Sequence, residues 1–129
     1  MDVGSMHAVL RTLAVAFAAL IAVGALVSGA FGFVGRGGSV NVASAWPTFL
    51  TGVACATTVV AYLRRIGLWW GFGIAGAVGH VWAHVMALAH VRGEANLGRL
   101  IGLFTVPMLW ILLVVAMVVL RPPKVVTGA

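Results

Sequence analysis

Of 129 residues, 63% are hydrophobic and only 8% are charged, and the mean hydropathy is +1.16. An ordinary soluble domain carries about 25% charged residues, and so few charges cannot clothe a water-facing surface. The net charge of +6 does not signal a nucleic-acid binder, because Arg11, Arg36, Arg64, Arg65, Arg92, Arg99, Arg121 and Lys124 border apolar runs instead of forming a patch.

A hydrocarbon core of about 30 Å requires about 20 apolar residues in helical form. The first such run spans about Thr12 to Val34 without a charge. A cleaved signal peptide is its rival reading, since Arg11 could close an n-region and Ser28, Gly29 and Ala30 have the size of a cleavage site. The run is nevertheless longer than the usual apolar stretch of about 7–15 residues in such leaders, so a retained helix is expected. Glycines at 35, 37 and 38 mark an irregular loop up to Ser44.

The second span, about Ala45 to Leu63, carries a polar stripe. Thr48, Thr51, Cys55, Thr58 and Tyr62 follow one another at alternating spacings of about three and four, which is one face of an α-helix. Such groups waste their hydrogen-bonding capacity against lipid, so the stripe should face protein or a hydrated pocket. Interhelical glue is one reading; the lining of a small polar cavity is the other. Cys55 is the only cysteine, so an intrachain disulfide is excluded.

Little more than Arg64, Arg65 and Ile66 separates this span from the third, about Gly67 to Val91, and so short a link forces an antiparallel hairpin. Gly71, Ala75, Gly79, Ala83 and Ala87 recur at every fourth position of the third span. Small side chains let helix backbones approach closely, within this bundle or against a second copy or another membrane protein. His80 and His84 lie deep in the same span, where an ionisable side chain is a functional hypothesis by default.

Three readings compete for that pair. One is a hydrogen-bonded structural pair, with Thr51, Thr58 or Tyr62 across the hairpin. Another is a haem or transition-metal site, since a spacing of four sets two imidazoles on one helix face. Two further ligands would be needed, to which Cys55 or His90 could contribute if the fold brought them close, and a bis-histidine haem would need a partner subunit. The third is proton or small-solute movement through a titratable relay, weakened by the lack of Asp, Glu, Lys or Arg within any span.

The fourth span, Leu100 to Leu120, holds fourteen Leu, Ile, Val or Phe residues, each favouring insertion by about 0.3–0.6 kcal/mol near the helix centre. Pro107 should bend it. Trp46, Tyr62, Trp69 and Trp70 fall near span ends and read as interfacial anchors; Trp82 and Trp110 read as deeper packing residues.

The expected architecture is therefore all-α: a polytopic membrane protein with four transmembrane helices in an up-down-up-down bundle, forming a single unit. Arg11, Arg64, Arg65, Arg121 and Lys124 fall at one end, against Arg36, Arg92 and Arg99 at the other. That bias predicts both termini in the cytoplasm and residence in the cell membrane. No phosphate loop, nucleophile elbow or carboxylate pair is present. Among functions, a non-catalytic accessory subunit of a membrane assembly, partnered by itself or by another membrane protein, is expected ahead of a haem- or metal-bearing redox subunit and a small transporter.

Overall fold

The computed structural model describes residues 2–34, 42–90 and 95–121. These form α1 (Val3–Phe33), α2 (Val42–Leu63), α3 (Trp69–His90) and α4 (Ala95–Val119), each long and apolar enough to cross a bilayer, with no strand among the described residues. Of the loop expected from Gly35 to Ser44, residues 42–44 are instead the first turn of α2, while residues 35–41, the charges of Arg36, Arg92, Glu94 and Lys124, and the side chains of His90 and Arg99 lie outside this description.

In lipid the backbone must satisfy itself, so each span closes its own hydrogen bonds as a helix. The helix ends are set by local chemistry. α1 begins at Val3, upstream of the expected Thr12, because the Asp2 carboxylate accepts the Ser5 amide at 2.7 Å. That bond holds the Asp2 carboxyl below the usual carboxylate range. At 31 residues, α1 is about 46 Å long, so it exceeds the hydrocarbon thickness.

α2 ends in a Schellman motif, with the Ile66 amide donating to the Ala61 carbonyl at 2.9 Å and the Arg65 amide to Tyr62 at 3.1 Å. The residue that turns the chain is Arg65, at a φ of 59°. α3 consequently starts at Trp69, after the turn and not at Gly67. α4 remains helical through Pro107.

The helices form a closed ring. α1 packs on α2, α2 on α3, α3 on α4, and α4 returns to α1; among the described residues, no diagonal pair of helices brings its backbones into close approach. Lipid tails are as apolar as leucine, so close van der Waals fit, not water exclusion, holds such a ring together. Glycine provides that fit on the α1–α2 seam. A Cβ on Gly29 would lie 2.7 Å from the Phe49 backbone, and one on Gly52 2.6 Å from the Leu26 amide nitrogen.

Ala14, Ala18 and Ala22 give α1 a small-residue face, buried in one cluster with Trp110 and Met117. Near the termini the ring is fastened by Arg11, whose guanidinium donates to the Leu120 carbonyl at 3.1 Å. A cation there also complements the negative end of the α4 dipole. Large apolar side chains point outward on every helix, Phe17, Leu20, Val78, Phe104 and Leu112 among them.

Candidate functional site in the polar interior

The polar stripe of α2 faces α3. Thr51, Cys55, Thr58 and Tyr62 are buried, while Thr48 is half-buried at the margin. Two of the threonines close on their own helix: the Thr51 hydroxyl donates to the Pro47 carbonyl at 2.6 Å, and Thr58 to Ala54 at 2.7 Å.

What the stripe meets on α3 is mostly the absence of side chains. Gly79 lies against the Thr51 side chain, close enough that a Cβ there would overlap its hydroxyl. A Cβ on Gly76 would lie 3.0 Å from the Cys55 sulfur and 2.8 Å from the Trp110 indole nitrogen. Gly73 faces Val114 and the Thr58 methyl. Of the residues recurring at every fourth position, Gly79, Ala83 and Ala87 are buried, whereas Gly71 and Ala75 are exposed.

The geometry of a helix explains that division. Each step of four residues rotates by about 40° beyond a full turn at 3.6 residues per turn. Five residues so spaced therefore wind around the helix and cannot all face one neighbour. The inner face is instead Trp69, Gly73, Gly76, Gly79, His80, Ala83 and Ala87, all buried.

His80 is the polar centre of this seam. It is 5% exposed, and its Nε2 lies 3.4 Å from the Cys55 Sγ on α2. Its ring also tilts against Trp110 of α4, with centroids 6.0 Å apart. Trp110 is fully buried and donates its indole N–H to the Gly73 carbonyl at 2.9 Å. A bond between α4 and the α3 backbone thus seals the far side of the pair.

His84 does not join His80. Its Nδ1 lies 2.7 Å from the His80 carbonyl. A carbonyl only accepts, so Nδ1 carries the proton and donates. The other edge of the ring faces α4, where a Cβ on Gly102 would lie 3.1 Å from Nε2. The two imidazoles, side by side in the helical register, serve different seams.

The donor set can be compared with what a metal needs. Zinc–sulfur and zinc–nitrogen bonds of about 2.3 and 2.0 Å on a tetrahedral ion place the two ligand atoms about 3.5 Å apart, close to the Cys55–His80 separation. A structural zinc site takes four ligands and a catalytic one three. Among the described residues no group of three His, Cys, Asp or Glu side chains converges. The pair as it stands is a thiol–imidazole hydrogen bond.

Tyr62 ends the stripe. Its ring meets Trp69 edge-on at 4.9 Å, and its buried hydroxyl has no hydrogen-bond partner among the described residues. Trp69 is thus a core residue and not an interfacial anchor, at 2% exposed, whereas Trp82 points outward at 46%. Sequence reasoning passed over Gly73 and Gly76. Their signal was a spacing of three, in register with Gly79 and with the stripe opposite. No family model, curated protein or solved structure matches this chain.

Proposed function

We propose that this chain is a non-catalytic subunit of a membrane assembly, lying in the cell membrane with both termini on the cytoplasmic side. One observation carries the reading: apart from the Tyr62 hydroxyl, the interior hydrogen-bonding side chains described above are used within the bundle. Thr51 and Thr58 bond their own helix, Cys55 bonds His80, His84 bonds the α3 backbone, and Trp110 bonds Gly73. A lining for solute or a reacting group needs polar atoms turned toward an open space. Here they close on their own helix or reach the neighbouring one.

The outer surface then becomes the functional element. α3 exposes Gly71 and Ala75 beside Trp70 and Ile74, and nothing approaches within 4 Å of where a Gly71 side chain would begin. Small residues on an outward face let a second helix come close, whether from another copy or from a different membrane protein. The orientation rests on the excess of Arg11, Arg64, Arg65, Arg121 and Lys124 at the termini end over Arg36, Arg92 and Arg99 at the other.

The test is assembly mass in mild detergent, with Gly71→Leu and Ala75→Leu as variants. The proposal expects both to reduce the mass while helicity is kept. A wild-type mass of one chain after extraction from its native membrane, or variants that assemble unchanged, would refute it.

A metal-bearing subunit is the second reading, favoured by the Cys55–His80 separation. Purified protein with stoichiometric zinc, copper or iron, lost in both Cys55→Ala and His80→Ala, would establish it in place of the first.

A further inference from the structure

On the outer face of α2 lies a groove of about 400 Å³. It is lined by Val53, Ala56 and Val60 of α2, with Leu26 of α1 and with Ile66 and Phe72. It presents almost no polarity, because the Thr57 hydroxyl at its edge donates to the Val53 carbonyl at 2.7 Å. From Ala61 to Val53 it runs about 12 Å along the helix, at 1.5 Å per residue.

One end of the groove is fixed by the Schellman turn. Ala61 and Ile66 both line it, and the bond between them loops the chain out through Arg64 and Arg65. Both arginines are exposed. The apolar groove therefore ends at the turn that carries Arg64 and Arg65.

Arg65 also holds its place at a φ of 59°, a region that costs an L side chain about 1–2 kcal/mol and glycine nothing. A charged side chain held in so unfavourable a conformation is a candidate for a function of its own.

We propose that this groove binds one anionic phospholipid, its phosphate on Arg64 and Arg65 and one acyl chain along α2. The chemistry matches at both ends. A methylene is about the size of a water molecule, whose share of liquid volume is about 30 Å³, so the groove has room for about a dozen chain carbons. The guanidinium groups supply planar, forked donors suited to phosphate oxygens. This inference rests only on residence in a bilayer and stands apart from the proposed subunit role.

The experiment reconstitutes the full chain into vesicles of equal phosphatidylglycerol and phosphatidylcholine, extracts it in mild detergent, and counts lipids retained per chain. An arginine beside an anionic headgroup favours the charged lipid by about fivefold. Wild-type protein should retain phosphatidylglycerol over phosphatidylcholine by at least that ratio. Arg64→Gln and Arg65→Gln should each lower the ratio, and together bring it near one. Ala56→Phe, which fills the groove, should reduce retained phosphatidylglycerol with both arginines present, while Ala16→Phe on the exposed face of α1 should not.

No enrichment in the wild type would overturn the proposal, as would enrichment that survives the double variant, which would place the headgroup at other charges such as Arg11 and Arg121. Displacement of the lipid by soluble glycerol phosphate would likewise overturn it, since the site would then recognise phosphate alone. A wild type that retains no lipid while Ala56→Phe changes assembly mass would assign the groove to a protein helix.

Discussion

Gly79 of α3 and Thr51 of α2 occupy complementary halves of one space, the missing side chain of the first accommodating the hydroxyl of the second. The threonine cannot simply turn away, because that hydroxyl is bonded to the Pro47 carbonyl at 2.6 Å. Gly79→Ala should therefore destabilise the bundle by about 1–3 kcal/mol, the usual range for overpacking. Thr51→Ala should recover most of that loss, and a double-mutant cycle of detergent unfolding would give strongly non-additive energies. Additive energies would show that the two residues do not share the space.

The α1–α2 seam gives a harsher version. Gly29 and Gly52 face backbone, at 2.7 Å from Phe49 and 2.6 Å from Leu26, and backbone has no rotamer into which to retreat. Gly29→Ala and Gly52→Ala should each cost about 3 kcal/mol, toward the upper end for overpacking. Gly24→Ala is the control, because nothing lies within 4 Å of it; it should be neutral or stabilising by up to about 1 kcal/mol. The same unfolding measurement ranks all three.

What was legible in the sequence depended on how well a spacing tracks 3.6 residues per turn. The α2 stripe alternates three and four, stays on one face, and its members from Thr51 to Tyr62 are buried together. The α3 positions were read at a constant four, which drifts around the helix, so Gly71 and Ala75 face outward while Gly79, Ala83 and Ala87 face inward. Cys55 was legible as a possible companion of His80 only on condition that the fold brought the two together. Two histidines four apart suggested a shared site, but which neighbouring helix each ring meets is set by the ring order of the bundle. That order gives His80 to Cys55 and turns His84 toward Gly102.

Tyr62 is the one buried side chain whose polar atom lacks a partner among the described residues. Leaving a buried hydroxyl unpaired costs about 1–3 kcal/mol, whereas its edge contact with Trp69 needs only the ring. Tyr62→Phe should thus leave stability unchanged or raise it by about 1 kcal/mol. A drop in thermal midpoint would mean that the hydroxyl is engaged in the bilayer.

Arg65 combines a conformational cost with a charge. In detergent free of anionic lipid, Arg65→Gly should raise stability by about 1–2 kcal/mol by removing the left-handed strain, and Arg65→Val should lower it. A destabilised Arg65→Gly would mean that the arginine side chain contributes more to folding than its backbone costs.

Cys55 reports directly on whether the interior is sealed, because it is the only thiol, fully buried and bonded to His80. The decisive measurement is the rate at which a small, membrane-permeant maleimide modifies Cys55 in bilayer-reconstituted protein, against the rate after unfolding. A closed seam predicts modification slowed by about a thousandfold or more, as for a group reached only through opening by several kcal/mol. Modification at nearly the unfolded rate would reveal a wetted path to His80, and would replace the subunit reading with one in which solute enters the bundle.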